Sequence, residues 1–211
     1  MKDLVIIGAG DFGREIVNIV FRINQQQPTW HILGFVDDAP TKQNTLIDGF
    51  PVLGNSQWLQ EYSQEVYAIC SLGRSQSRKQ AIERFSSPLI HWATLIDPAA
   101  QLYHDACIGN GSVICGGSIL AINVHVGNHV LVNLNCTLGH DDVVNDYCVI
   151  NPGVNVSGNV LINECVDLGT GSKIIQGHSI FQNTIIGAGA VVIQDITVPG
   201  TYVGVPTKKV K

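Results

Sequence analysis

The chain has 211 residues, of which 45% are hydrophobic and 14% are charged, and its formal net charge is −5. This size and composition are typical of one large or two modest globular domains, and they exclude a disordered chain. The negative charge and the absence of a long Lys/Arg run argue against nucleic acid as the main partner. No apolar stretch approaches the length of a membrane-spanning helix, and the apolar start is too short for a signal peptide. We therefore expect no membrane span and a cytoplasmic location.

The first predicted elements are a strand at residues 4–7, a glycine loop at 8–13 and a helix at 14–24. The loop reads G-A-G-D-F-G. A G-x-G-x-x-G loop between a strand and a helix is the setting in which backbone amides bind the phosphates of a nucleotide. A tight turn without a ligand is the alternative interpretation of the same residues.

Two acidic residues, Asp37 and Asp38, follow a second predicted strand at residues 32–36. A Rossmann-type unit places a ribose-binding carboxylate at about this distance from its glycine loop. The sequence therefore predicts nucleotide contacts from Gly8, Gly10, Asp37 and Asp38.

A third predicted strand at residues 66–72 and a helix at 74–85 complete only about half of a dinucleotide-binding fold. We therefore predict a Rossmann-like half domain over residues 1–90. An NAD-dependent dehydrogenase would need further βα units and a catalytic domain. We therefore interpret the nucleotide as a part of the substrate by which the protein binds it.

A period of six residues dominates the rest of the chain, where eighteen consecutive sixth positions are all Ile, Leu or Val. This period fits neither an amphipathic helix nor a flat strand, but it suits a chain that turns a corner every six residues. Small or branched residues two positions before most of these aliphatics predict a second inward column. Gly, Asn or Ser often follows the aliphatic residue, and we expect positive φ there. The aliphatic positions are Ile96, Leu102, Ile108, Ile114, Leu120, Val126, Val132, Leu138, Val144, Ile150, Val156, Ile162, Leu168, Ile174, Ile180, Ile186, Val192 and Val198.

The glycine-loop unit, the uninterrupted repeat and the ending V-G-V-P-T-K-K at residues 203–209 together resemble hexapeptide-repeat sugar acetyltransferases. The resemblance is to the sialic acid O-acetyltransferase and UDP-bacillosamine N-acetyltransferase type. It implies a left-handed parallel β-helix over residues 91–211, with three hexapeptides per coil and hence about six coils. It also implies a homotrimer that uses acetyl-CoA.

Within this group the chain looks most similar to N-acetyltransferases that act on the 4-amino group of nucleotide-linked 4-amino-4,6-dideoxy sugars in bacterial surface glycan biosynthesis. The family pattern of an asparagine followed by a histidine and an acid falls on Asn133, His140 and Asp141, in the stretch N-L-N-C-T-L-G-H-D-D. The family usually carries Glu where this chain has Asp141. The resemblance places Asn133 at the substrate and leaves the nucleotide open among UDP, dTDP and GDP.

The chemistry independently calls for a base such as His140. A protonated sugar amine must lose a proton when it attacks a thioester, and an imidazole is suited to accept it. A carboxylate on the other ring nitrogen would fix the tautomer, and no acyl-enzyme is required. Residues 18 apart should stack in neighbouring coils, so we expect Gly158 beside His140, with its N–H available to the developing oxyanion. Asn155 and Asn159 could reach the sugar.

Acetyl-CoA binding, which the resemblance implies, is expected along a groove between neighbouring subunits. The expected contacts are Gly158, Gly169, Lys173, Gly187 and Lys208. An exposed Lys173 without a ligand is the plainer interpretation of that residue.

Three other functions would use parts of the same pattern. A sugar O-acetyltransferase would use the same base on a hydroxyl group, and a non-catalytic trimeric nucleotide-sugar-binding protein would leave His140 and Asp141 unexplained. A zinc carbonic anhydrase of the β-helix type would need histidines in shared columns, but His125 and His129 fall on different ones. The six cysteines contain no C-x-x-C pair. No metal is therefore expected.

Overall fold

The computed structural model describes residues 1–211 and has an α/β unit followed by a parallel β-solenoid. The α/β unit has one six-stranded sheet in the order β3-β4-β2-β1-β5-β6. All its pairings are parallel except the β3–β4 hairpin. Its elements are β1 (Lys2–Ile7), α1 (Asp11–Gln26), β2 (Trp30–Val36), a 3₁₀ turn (Pro40–Lys42), β3 (Leu46–Ile47), β4 (Phe50–Gly54), α2 (Ser56–Gln60), β5 (Val66–Cys70), α3 (Ser75–Ile82) and β6 (Ile90–Trp92).

The solenoid consists of short strands that recur every six residues, as the hexapeptide period predicts. They are β7 (Leu95–Ile96), β8 (Gln101–Leu102), β9 (Cys107–Ile108), β10 (Val113–Ile114), β11 (Ile119–Leu120), β12 (His125–Val126), β13 (Leu131–Val132), β14 (Thr137–Leu138), β15 (Val143–Val144), β16 (Val149–Ile150), β17 (Asn155–Val156), β18 (Leu161–Ile162), β19 (Asp167–Leu168), β20 (Lys173–Ile174), β21 (Ser179–Ile180), β22 (Thr184–Ile186), β23 (Val191–Val192), β24 (Gly200–Val203) and β25 (Lys208–Lys209).

The chain visits three parallel sheets in turn, and each forms one face of the solenoid. The first face contains β7, β10, β13, β16, β19, β22 and β24, with β25 added antiparallel at its end. The second contains β8, β11, β14, β17, β20 and β23, and the third contains β9, β12, β15, β18 and β21. From β7 to β20, each strand pairs with the strand 18 residues further along, as Val113 does with Leu131 and Leu131 with Val149.

The prediction of about six coils is wrong as a description of the whole solenoid, because the faces carry unequal numbers of strands. The first face gains β24 after the hexapeptide repeat has ended. On the third face the last aliphatic position, Val198, lies outside any strand and is 49% exposed. The left hand of the coil stays a prediction.

The interior of the solenoid is a column of aliphatic side chains, with buried residues such as Ile114, Leu138, Ile150 and Ile162 at the hexapeptide positions. The corner residues differ from expectation. Positive φ occurs three residues after the aliphatic residue, as at Asp141, and not directly after it.

The α/β unit covers the outer side of the first face. Outward side chains of that face, Leu95, Val113, Leu131 and Val149, belong to the same buried cluster as the α/β core. The last strand of the α/β sheet, β6, runs across the predicted domain boundary at residues 90/91, and that boundary stays a prediction. No helix is long and apolar enough to cross a membrane.

Ile162 and Leu161 are adjacent in β18 but point to opposite sides, with Ile162 fully buried and Leu161 39% exposed. Ile162→Ala should lower the free energy of unfolding by about 2–5 kcal/mol, because it opens a cavity in a packed column. Leu161→Ala should lower it by less than about 1 kcal/mol. Denaturant unfolding at one protein concentration measures both, and equal losses would contradict the inward assignment of the period.

Candidate active site

His140 lies at the corner between the second and third faces, two residues after the end of β14. Its side chain is 55% exposed, and its Nδ1 lies 2.8 Å from Asp141 Oδ2. Asn123, one coil earlier, donates from Nδ2 to Asp141 Oδ1 at 3.1 Å. Hydrogen bonds from His140 and then Asn123 lower the pKa of the Asp141 carboxyl group. The aspartate therefore reaches the histidine although its side chain is shorter than that of glutamate, and His140 Nε2 makes no hydrogen bond within the chain.

Gly158 lies directly against the His140 ring in the next coil. A Cβ atom built on Gly158 would lie 2.6 Å from His140 Cε1, so a larger residue there would displace the ring. The Gly158 N–H donates to no acceptor within the chain, while the following N–H of Asn159 donates to the His140 carbonyl at 2.8 Å. The Nδ2 atom of Asn159 lies 3.5 Å from His140 Nδ1. The predicted stacking of residues 140 and 158 is thus present.

A second acid at this corner, Asp142, is fully buried. Its Oδ2 accepts from the Gly139 N–H at 2.8 Å, and its Oδ1 accepts from the Val160 N–H at 2.9 Å. Burial raises the pKa of Asp142 to about 7, although these two bonds act in the opposite direction. Asp142 is not among the site residues predicted from the sequence. The available signal was a carboxylate in an inward column that is otherwise small or branched.

The glycine loop closes one side of a cleft of about 300 Å³ in the α/β unit. Gly8 has φ 101°, and a Cβ atom there would lie 2.6 Å from Ser71 Oγ. Gly10 precedes α1 and has open space around it. Gly13 packs against Phe35, with 3.1 Å between a built Cβ and Cε1. The three glycines thus serve a tight turn, an open backbone approach and helix–strand packing, as in phosphate-binding loops.

Asp37 and Asp38 both line this cleft, but their carboxylates are already bonded. Asp37 accepts from the N–H groups of Ala9 and Ala39 at 2.8 and 2.9 Å and from Lys42 Nζ at 2.8 Å. Burial alone would raise the pKa of Asp37, but these bonds outweigh it and hold the pKa below its ordinary value. The geometry shows Asp37 fastening the glycine loop to the end of β2.

Asp38 is more exposed than Asp37 and belongs to a network at the mouth of the cleft. It accepts from the Ser56 N–H at 2.8 Å and from Arg84 at 2.9 Å. The Ser56 bonds, followed by the Arg84 charge, lower the pKa of Asp38. Both acids are therefore ionised and surrounded by donors.

Comparison with known proteins agrees with this architecture. Residues 3–85 match the PglD N-terminal domain family. The acetyltransferase domain of PglB from Neisseria gonorrhoeae FA1090, solved with acetyl coenzyme A, is 30% identical, with 99% of each chain covered and a TM-score of 0.87. The chain belongs to the hexapeptide-repeat sugar acetyltransferase family. It is therefore an acyltransferase.

Two further relatives span nearly the same length. GDP-perosamine N-acetyltransferase from Escherichia coli O157:H7 is 29% identical over 185 residues, which is 87% of this chain and 82% of that protein. WeeI from Acinetobacter baumannii AYE shares the fold over 100% of both chains, with a TM-score of 0.88 at 24% identity.

Several residues that the family resemblance assigned lie away from His140 in this acyltransferase. Asn133 is at the corner between the first and second faces, a full face before His140, and its Oδ1 accepts from the Leu134 N–H at 2.8 Å. Gly169 and Gly187 follow at the same corner in later coils. A Cβ atom on Gly169 would lie 2.6 Å from Ala188 N, and one on Gly187 would lie 2.7 Å from Val203 Cγ1. Stacking against the next layer accounts for both glycines.

Lys173 and Lys208 are both exposed. Lys173 lies on the second face, where its Nζ donates to Asn155 Oδ1 at 2.7 Å, and Asn155 in turn donates to Thr137 Oγ1 at 3.0 Å. Lys208 lies in the terminal strand β25. The enzyme therefore presents these two lysines on different parts of its upper coils.

The structure places no group of three or more His, Cys, Asp or Glu side chains where they could hold a metal ion. His129 lies between the rings of Trp92 and Tyr147, at centroid distances of 4.7 and 5.4 Å. Burial lowers the pKa of His129 to about 4, so it is a neutral packing residue at the junction of the two parts of the chain.

The buried Asp142 predicts a pH dependence of stability. A folded-state pKa of about 7 exceeds the ordinary unfolded value, so the folded protein binds an extra proton between about pH 4 and pH 7. The contribution of Asp142 to stability is therefore greatest at low pH and is lost as the pH rises through 7. From pH 5 to pH 8, wild type should lose about 2–3 kcal/mol more than Asp142→Val. Parallel denaturant unfolding curves for the two proteins would contradict the raised pKa.

Proposed function

We propose that this enzyme transfers the acetyl group of acetyl-CoA to the 4-amino group of a nucleotide-linked 4-amino-4,6-dideoxy sugar, in bacterial surface glycan biosynthesis. The observation that carries the proposal is the His140–Asp141 pair, at 2.8 Å, set against the free N–H of Gly158. The names of the relatives, a GDP-perosamine N-acetyltransferase and a PglB domain solved with acetyl coenzyme A, support the substrate and the donor.

The proposed reaction is direct acetyl transfer without an acyl-enzyme. The sugar nitrogen attacks the thioester carbonyl while His140 Nε2 accepts a proton from that nitrogen. Asp141 holds the opposite ring nitrogen and stabilises the imidazolium that forms. The carbonyl oxygen becomes an oxyanion to which the Gly158 N–H donates. Collapse of this intermediate breaks the carbon–sulfur bond, and the departing CoA thiolate takes the proton from His140.

Acetyl-CoA is proposed to lie along the coils that follow Gly158. Ile175 and Ile193 stand above Gly158 at the same corner, and they are 42% and 46% exposed. Exposed aliphatic side chains suit the thiol-bearing arm of CoA, and Lys173 and Lys208 suit its phosphates as point charges. Gly169 and Gly187 would contribute to this groove through their backbone at the neighbouring corner.

The nucleotide is proposed to bind in the cleft of the α/β unit. The cleft lies beyond the carboxyl ends of β1, β2 and β5, where the strand order reverses and open α/β sheets bind their ligands. Gly8 and Gly10 would approach the phosphates at the start of α1. Three of the roughly four acceptor positions of Asp37 are occupied, so it would offer the ribose at most one. Asp38, next to it, would also contact the ribose.

Within one chain the two halves of this proposed site lie far apart around the solenoid. The α/β unit covers the first face, and His140 is at the corner opposite to that face. A sugar held by the cleft therefore meets His140 only if the histidine belongs to another copy of the chain. This supports a homotrimer, in which Asn133, at the corner next to the covered face, would contact the sugar opposite a neighbour's His140.

Replacing the proposed base gives the first test. His140→Ala should lower the rate of acetyl transfer by roughly 10²–10⁴ while the protein stays folded, and Asp141→Asn should lower it less. Release of CoA thiol is measured with UDP-, dTDP- and GDP-linked 4-amino sugars, and with free and CMP-linked sialic acid as hydroxyl acceptors. Near wild-type turnover by His140→Ala would remove it from the mechanism. Faster transfer to sialic acid than to any amine would make the enzyme an O-acetyltransferase.

The glycine loop gives a second test, at Gly10. An aspartate at this position fits sterically and is a favoured residue at a helix N-cap, so the fold should be retained. Its charge would repel the phosphates, and Gly10→Asp should raise the KM for the nucleotide sugar by roughly tenfold or more with little change in the KM for acetyl-CoA. The neutral Gly10→Asn variant is the matched control. Equal sugar KM values for both variants would place the phosphates elsewhere.

A further inference from the structure

Asp142 lies in the apolar part of its inward column, two coils before the partly exposed His178. Counting in steps of 18, its neighbours in the coils on either side are Val124 and Val160, both fully or almost fully buried. A valine at position 142 would continue the column, and an aspartate there must lose its hydration. Burying a carboxylate costs stability unless its bonds compensate. A residue that breaks the local pattern next to a reactive side chain is a candidate for a functional role.

Two buried serines of the solenoid, Ser112 and Ser118, make inter-coil hydrogen bonds with which those of Asp142 can be compared. Ser112 Oγ accepts from the Val130 N–H at 2.9 Å, and Ser118 Oγ accepts from the Cys136 N–H at 3.1 Å. In each case the donor lies 18 residues later. Each serine also donates to a carbonyl 15 residues later, Ser112 to Gly127 at 2.8 Å and Ser118 to Asn133 at 2.7 Å. Asp142 accepts the corresponding bond from Val160, but its second bond is accepted from the Gly139 N–H, which also donates to the Val156 carbonyl at 3.0 Å.

These two bonds hold the two turns that meet at the candidate active site. Gly139 directly precedes His140, and Val160 lies two residues after Gly158. We propose that Asp142 is a positioning residue, which fixes the His140 turn against the Gly158 turn so that the base and the oxyanion donor keep their spacing. The inference rests on the proposed function, because it assigns the spacing a role in acetyl transfer.

The expected consequence is a loss of turnover without a loss of substrate binding, because both bonds are made by a fully buried carboxylate beneath the exposed surface of the corner. Small displacements of a base from its reacting atom reduce rates strongly. Asp142→Val should lower kcat by roughly tenfold to a hundredfold, with KM for either substrate changed less than about threefold. Asp142→Ser can keep the bond to the Val160 N–H but not the bond to the Gly139 N–H, so its kcat should lie between those of Asp142→Val and wild type.

Ser112→Val is the matched control. It removes the same kind of inter-coil bond at the corner between the third and first faces, away from His140, and it should leave kcat unchanged. Thermal unfolding and the oligomeric state of all variants are recorded beside the kinetics. A purely structural role predicts that kcat follows the folded fraction, whereas positioning predicts a fully folded Asp142→Val protein that is slow.

The possible results distinguish a failure of the positioning role of Asp142 from a failure of the proposed function. Low kcat with nearly unchanged KM in folded Asp142→Val, and normal kcat in Ser112→Val, support the positioning role. A folded Asp142→Val protein with kcat within about twofold of wild type overturns it and leaves the proposed function intact. Failure of the wild-type enzyme to acetylate any amine overturns the proposed function, and the inference falls with it.

Discussion

The backbone register of 18 residues per coil is the constraint on which the rest of the structure depends. Each corner repeats the hydrogen bonds of the coil before it, as when Thr137 N donates to the Val154 carbonyl at 3.0 Å and Gly139 N to that of Val156 at 3.0 Å. Because these ladders leave no freedom to slide, the position of every side chain around the solenoid follows from its residue number. The His140 ring contacts Gly158, and Asp142 accepts a hydrogen bond from Val160, because each pair of residues is 18 positions apart.

The same register keeps the proposed nucleotide cleft and the proposed base, His140, on opposite sides of the solenoid. The α/β unit is fixed to the first face by a continuous apolar cluster and by polar bonds such as Lys79 to Glu164 at 2.6 Å and Ser75 N to Asp167 at 3.0 Å. These contacts hold the glycine-loop cleft on one side of the coil. The His140 corner lies on the opposite side, so the proposed site requires a second copy of the chain.

Much of the fold could be predicted from the sequence because it depends on strictly periodic packing. Eighteen aliphatic positions predict the inward column, and the spacing of 18 predicts that Gly158 lies beside His140. The glycine loop and the following acids likewise predict the cleft that the structure contains. Periodicity could not show where pairing stops, which depends on the irregular residues after Val192. It also could not show which corner residue takes positive φ, since Asp141 and Tyr147 do so as readily as asparagine.

The site residues were harder to predict than the fold. Gly169 and Gly187 are required by the close approach of neighbouring residues, so their presence alone does not indicate a ligand. Asp37 has the spacing of a ribose ligand, but in the folded chain it is largely used to hold the loop. In the sequence Asp142 stands out only as a carboxylate in an inward column, and its two backbone donors become visible only in the three-dimensional structure.

Mixing two inactive variants tests directly whether one subunit's cleft serves another subunit's histidine. His140→Ala keeps an intact cleft, and Gly10→Asp keeps an intact base. If the site is shared, the whole population assembled at random from equal amounts should recover about a quarter of wild-type activity at sugar concentrations that leave Gly10→Asp inactive, since half of the clefts and half of the histidines are functional. Mixed oligomers that form, as shown by two affinity tags, but stay inactive would contradict the account and place both groups in one subunit.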